Sequence, residues 1–187
     1  MNNIVIIKIG GNIIDDAAAL NAFLKDFAKI NVPKILIHGG GKIATQLSKT
    51  LGIETKMIDG RRITDEKTLE VVTMVYAGLI SKNIVATLQA QNCNAIGLCG
   101  ADVNIIVAHK RKHPTIDYGF VGDIDNVNAA FLISLLQQNI TPIIAPITHD
   151  GNGNLLNTNA DSVASSIAIE LSKIKNVTFL YCFEKAG

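Results

Sequence analysis

Apolar residues recur along this chain in two alternating rhythms. Ile4-Val5-Ile6-Ile7 and Ile35-Leu36-Ile37 are short continuous runs, the pattern of strands buried on both faces. Leu20, Phe23, Leu24 and Phe27 fall instead at i, i+3, i+4 and i+7, a single helical stripe. The pattern predicts strand over 3–9, helix over about 16–30, strand over 34–38 and helix over about 42–51, stopped by Gly52. Two short strands flank the turn dipeptide Asp59-Gly60. Thr64 reads as the N-cap of a helix carrying Leu69, Val72, Val75 and Tyr76, and a second helix follows from about 81 to 91. A strand at 95–98 enters Gly100-Ala101-Asp102, and residues 103–123 read as a β-ribbon with strands at 105–108 and 118–122. Helix over about 128–138, strand over 140–145, a turn at 150–153, helix over 160–172 and strand over 177–182 follow. Such alternation predicts an α/β fold: a largely parallel central sheet sandwiched between helices, with a β-hairpin ribbon.

Composition narrows the function classes. Seventeen basic and sixteen acidic residues leave a net charge of +1, which gives no field for nucleic acid or an anionic membrane surface. No run of about 18 consecutive apolar residues predicts a membrane span. Lys8 inside the first strand does not fit a signal peptide, so a cytoplasmic location is expected. Cys93, Cys99 and Cys182 are odd in number and form no CxxC pair, which predicts free core thiols and no zinc site.

The chemistry gathers where strands meet glycines. Ile37-His38-Gly39-Gly40-Gly41-Lys42 ends one strand and opens a helix; Ile7-Lys8-Ile9-Gly10-Gly11 ends the first strand in the same way. Unpaired amides at a helix start, the positive end of the helix dipole and the missing β-carbons together favour an approaching anion. Neither turn has the Walker spacing. In sheets of this kind ligands gather beyond the carboxyl ends of the strands, where Gly100-Ala101-Asp102 and Asn157-Thr158-Asn159-Ala160-Asp161 also fall. A lysine and glycine amides suit a phosphoryl group, and an arginine fork suits a substrate carboxylate. Each residue has a plainer reading too: glycines as turns, Arg62 paired with Asp65 or Glu66, Asp161 in a helix's first turn, His38 shaping its loop. His109 and His113 read as solvated.

Lys8-Ile9-Gly10-Gly11, His38-Gly39-Gly40-Gly41, Asp59-Gly60-Arg61-Arg62-Ile63-Thr64 and Asn157-Thr158-Asn159-Ala160-Asp161 together resemble the amino acid kinase family, in its branch acting on N-acylated glutamate. The resemblance implies ATP-dependent phosphorylation of the γ-carboxylate of N-acetyl-L-glutamate, giving an acyl phosphate, with Mg2+ bound to the ATP. It implies Lys8 and Asp161 as catalytic residues and Gly10 and Gly11 as phosphate contacts. Gly40, Gly41, Arg62 and Asn157 would hold the substrate. N-succinyl-L-glutamate is the alternative substrate, with Arg61 and Lys110-Arg111-Lys112-His113 as candidate extra cations. Kinases of aspartate or carbamate, and a non-catalytic acylamino-acid-binding module, are further alternatives.

The resemblance also sets expectations about organisation. Residues 1–173 would form the acylglutamate-binding lobe and 174–187 the start of an ATP-binding lobe. The family's second catalytic lysine lies in a portion beyond that strand, and Lys185 has no matching context for it. Leu69, Val71, Val72, Met74 and Val75 cover several sides of one helix, which predicts a homodimer seam.

Overall fold

The computed structural model describes residues 3–58 and 60–182; Asp59 of the predicted turn and the segment 183–187 with Lys185 lie outside the described residues. In chain order come β1 (Asn3–Ile9), α1 (Gly11–Asp15), α2 (Ala17–Ala28), β2 (Lys34–His38), α3 (Gly41–Thr50) and the hairpin β3 (Met57–Ile58)/β4 (Arg61–Arg62). A long helix follows as α4 (Glu66–Thr73), a π-helical stretch (Met74–Ile80) and α5 (Ser81–Ala90). Then come β5 (Ala95–Leu98), β6 (Ile106–Lys110), β7 (Gly122–Val127), α6 (Ala129–Gln137), β8 (Thr141–Ile144), β9 (Ile147–His149), β10 (Leu155–Asn157), α7 (Ala160–Ser172) and β11 (Asn176–Cys182).

The central sheet has the order β11-β1-β2-β8-β5, and every pairing in it is parallel. Strand alternation divides its apolar residues between two layers. Ile4, Ile6, Ile35 and Ile37 pack with Leu132 and Leu136 of α6 and Val163, Ile167 and Leu171 of α7. Ile7, Ile9 and Leu36 face the other way, onto Leu24 and Phe27 of α2 and Val72, Val75, Ile84 and Leu88 of the long helix. Burying both faces explains why β1 and β2 read as continuous apolar runs. A second sheet, β10-β9-β6-β7, stands beyond the carboxyl ends of the first.

Several expectations are corrected. The N-cap of α4 is Asp65, whose carboxylate accepts from the Thr68 amide at 2.8 Å, because the Thr64 hydroxyl is already committed to the Arg62 carbonyl. The two helices predicted over 65–91 are one continuous helix, since the π-helical stretch carries the chain through without a break. The ribbon partner of β6 is β7, shifted from 118–122 to 122–127. Residues 118–121 instead bridge Thr64 to Gly119 and Val121 to Asn157. The hairpin β9/β10 and the short α1 were absent from the sequence pattern. Glu66–Ala90 spans 25 residues and by length and hydropathy alone could cross a bilayer, though it holds no run of about 18 consecutive apolar residues. Its Val71, Val72, Val75, Tyr76, Ile80, Ile84 and Leu88 are spent on the core.

Candidate active site

A cleft of about 650 Å³ opens at the carboxyl ends of β1, β2 and β8. Lys8, Gly10, Gly11, Gly40, Gly41, Arg62, Asn157 and Asp161, all singled out from sequence, line it together.

On β1, the alternation that sends Ile4 and Ile6 toward α7 puts Lys8 on the same face, against the first turn of α7. Its ammonium meets Asp161 Oδ1 at 2.8 Å, with the lysine buried and the aspartate side chain half exposed. Asp161 is held in that first turn by the N-cap Asn159, whose Oδ1 accepts from the Asp161 and Ser162 amides at 2.8 and 3.0 Å. A carboxylate there also favours the helix dipole, so the plain and the chemical readings of Asp161 coexist. A β-carbon on Gly10 would lie 3.7 Å from Lys8 Nζ, so the ammonium sits directly over that glycine.

At the end of β2, Gly40 takes φ +147° and caps α3 without any side chain. The first amides of α3 therefore face the cleft without helical partners. A β-carbon on Gly40 would fall 2.2 Å from Ile80 Cδ1 and 3.2 Å from the Tyr76 ring, both from the π-helical stretch. π-Helical turns recur at functional sites because the wider turn re-aims side chains. Here they form the wall behind the second glycine turn. His38, fully buried, donates from Nδ1 to the Gly39 carbonyl at 2.8 Å, and its burial lowers its pKa to about 4. A neutral imidazole bonded to its own loop fits the shaping role.

Arg62 is buried and pairs with neither Asp65 nor Glu66. Its Nη2 donates to the Gly41 carbonyl and to Thr45 Oγ1, each at 2.9 Å. Nη1 is buried with no hydrogen-bond partner among the described residues, and the residue lines the cleft. An orphaned guanidinium nitrogen is costly unless a ligand completes it, and a carboxylate is the natural complement. Burial raises the Tyr76 hydroxyl above its ordinary pKa, an effect the neighbouring Arg62 guanidinium partly offsets. Asn157 lies across the cleft, its Nδ2 3.0 Å from Thr64 Oγ1.

Other predicted residues lie elsewhere. Gly100 is a packing glycine: a β-carbon would meet the Ile106 carbonyl at 2.8 Å and the Thr148 backbone at 2.9 Å. Asp102 caps its own turn through the Cys99 amide at 2.7 Å, and neither residue lines the cleft. Arg111 pairs with Asp123 at 2.6 Å and Lys110 stacks over Phe120, so the basic run is engaged on its own ribbon. His109, expected to be solvated, is exposed but bonded to Asp125 at 2.7 Å. Of the predicted core thiols only Cys93 is buried; Cys99 and Cys182 are partly exposed. Sequence reasoning did not assign Lys42 or Thr45 to the site, and it read Tyr76 as packing and Thr64 as an N-cap. Lys42 sits in the cleft wall and bonds Asn12 and Asp15 of α1, tying the two glycine turns together. The signal for it was its place directly after Gly41.

Comparison with known proteins agrees with this geometry. The model of the amino acid kinase family matches residues 3–180. The acetylglutamate kinase of Cytophaga hutchinsonii is 61% identical over the whole chain, which covers 71% of that protein. That of Phocaeicola vulgatus is 56% identical over 98% of the chain and 72% of its own length. Among solved structures, smu.665 from Streptococcus mutans superposes with a TM-score of 0.76 at 26% identity, over 90% of this chain and 69% of that one. N-acetylglutamate synthase from Neisseria gonorrhoeae shares the fold with a TM-score of 0.80 at 21% identity, over 95% of this chain and 41% of that one. With its lysine, its two glycine turns and its arginine gathered on one cleft, and with relatives this close, the chain belongs to the amino acid kinase family.

Proposed function

We propose that this chain phosphorylates the γ-carboxylate of N-acetyl-L-glutamate with ATP. The observation that carries the reading is the buried, unpartnered Nη1 of Arg62 in a cleft that also holds the Lys8–Asp161 pair. The names of the closely similar relatives supply the same substrate. A γ-carboxylate oxygen attacks the terminal phosphorus of ATP, the bond to ADP breaks, and an acyl phosphate leaves with no enzyme base required. Lys8 stabilises charge on the moving phosphoryl group, and the Gly10 and Gly11 turn admits that group close to the backbone. Asp161 holds the Lys8 ammonium in place. The Gly40 and Gly41 turn receives the γ-carboxylate, Arg62 clamps the α-carboxylate and Asn157 helps to hold the substrate. Mg2+ arrives on the nucleotide's phosphates. On this reading residues 1–173 hold the acylglutamate and residues 174–187 open the nucleotide side. A homodimer through this helix belongs to the same reading; of the seam residues expected from sequence, Val71, Val72 and Val75 are buried in the core, and Met74 is exposed, as is Leu79.

One observation favours a second substrate. Lys42, Lys49 and Arg61 line the cleft in addition to Lys8 and Arg62, enough cation for a third carboxylate. N-succinyl-L-glutamate would place one there.

Calorimetric titration with N-acetyl-L-glutamate and N-succinyl-L-glutamate tests both readings, alongside Arg62→Ala. Saturable binding that the variant loses supports the assignment, and the tighter ligand names the acyl group. A folded chain that binds neither compound would overturn it.

A further inference from the structure

Thr64 is completely buried and lies between two residues of the cleft without lining it. Its hydroxyl oxygen is 2.8 Å from the Arg62 carbonyl and 3.0 Å from Asn157 Nδ2. Its main chain is equally occupied: the amide donates to the Tyr118 carbonyl at 3.0 Å, and the carbonyl accepts from the Phe120 amide at 2.7 Å. The Phe120 carbonyl in turn accepts from the Asn157 amide at 2.8 Å. Gly119 makes this approach possible, since a β-carbon there would lie 2.2 Å from the Thr64 carbonyl oxygen. One residue thus joins the Arg62 strand, the 118–121 segment and β10.

Counting protons fixes a direction. A hydroxyl has one proton, and the Arg62 carbonyl can only accept, so Thr64 donates there. The same oxygen must then accept from Asn157, which turns the amide NH2 toward Thr64 and leaves Oδ1 for the other side. The opposite flip would set two acceptors against one proton. Asn157 lines the cleft, so the atom it offers a ligand is a carbonyl oxygen.

We infer that Thr64 is a positioning residue that sets the flip of Asn157, so that the cleft presents a hydrogen-bond acceptor to the amide N–H of an N-acylated amino acid. The inference rests on the proposed function and adds the part of the substrate that Asn157 reads. It also assigns a discrimination: an acyl amide is accepted, and an acyl ester, which brings an oxygen to the same place, is rejected.

The test compares N-acetyl-L-glutamate with 2-acetoxyglutarate, its ester analogue, by calorimetry on the wild-type chain, Thr64→Val and Thr64→Ser. Wild type is expected to prefer the amide by about tenfold or more, the scale of one lost hydrogen bond facing a lone pair. Thr64→Ser keeps the hydroxyl and the preference. Thr64→Val frees Asn157 to rotate, so amide binding weakens and the preference falls toward unity. Equal weakening of both ligands in Thr64→Val would reveal a structural role only and overturn the inference. Equal binding of amide and ester by wild type would overturn it without any variant. Failure of wild type to bind the amide at all would strike the proposed function itself.

Discussion

The turn after β1 and the turn after β2 each hand a buried strand to a helix through glycine, but a β-carbon would fare differently in the two. At Gly10 the backbone is extended, with φ −95° and ψ −177°, and the nearest atoms to an added β-carbon are 3.7 and 3.8 Å away. Any residue could adopt that backbone. At Gly40 φ is +147° and the wall of Ile80 and Tyr76 leaves no room. Packing leaves room for a side chain at the first turn, whereas at the second it does not. Lys8 hangs over the first turn, while His38 and Arg62 bind the carbonyls of the second. Similar sequences therefore carry different constraints: packing demands the glycine of the second turn, and in the proposed function the phosphoryl group demands that of the first.

The contrast breaks most readily at the second turn. Gly40→Ala combines left-handed backbone strain with overpacking and is expected to cost about 4 kcal/mol of stability. Urea unfolding measures it, and a midpoint equal to wild type would remove the architectural half of the comparison.

His38 sharpens it through pH. Burial lowers its pKa from 6.5 to about 4, so between those values the unfolded chain binds a proton that the folded chain refuses. Its contribution to stability is complete above pH 6.5 and lost as pH falls toward 4, about 3 kcal/mol in all. His38→Asn keeps a donor for the Gly39 carbonyl without titrating, so its stability should fall less over that interval. Parallel stability curves for the two proteins between pH 7.5 and 4 would contradict a buried neutral histidine.

The smallest expected effect belongs to the first turn. Gly10→Ala should change unfolding free energy by less than about 0.5 kcal/mol, while phosphoryl transfer slows because the methyl group occupies space beside Lys8 Nζ that the proposed phosphoryl group would enter. Destabilisation on the scale of Gly40→Ala would erase the difference between the turns.

What the sequence disclosed, and what it concealed, follows the range of the interactions. β1 and β2 were legible because both faces are buried and their apolar runs have no other reading. The cleft was legible because its residues follow strand ends, where topology collects ligands. Asp65 displaced Thr64 as N-cap because the Thr64 hydroxyl donates to Arg62 and accepts from Asn157, the latter 93 positions away. Residues 118–122 have a strand's alternation, but Gly119 lets them dock on Thr64 instead, and pairing with β6 passes to the polar, half-exposed β7. The hairpin β9/β10 has three residues in each strand, too few for a period to show. Nothing local announces a π-helical stretch, whose Tyr76 and Ile80 stand directly against Gly40, distant in sequence.

That stretch has a consequence for length. A π turn holds one residue more than an α-helix would need to cover the same rise. Removing a single residue between Met74 and Ile80 would let the helix become regular, which is locally favourable. The same change would turn α5 against α4 by only about 30°, since six α-helical residues rotate nearly as far as seven π-helical ones. Val71, Val72, Ile84 and Leu88 would keep the core face, but Tyr76 or Ile80 would be re-aimed and the wall behind Gly40 would open. Between those two residues the chain has more freedom in spelling than in counting.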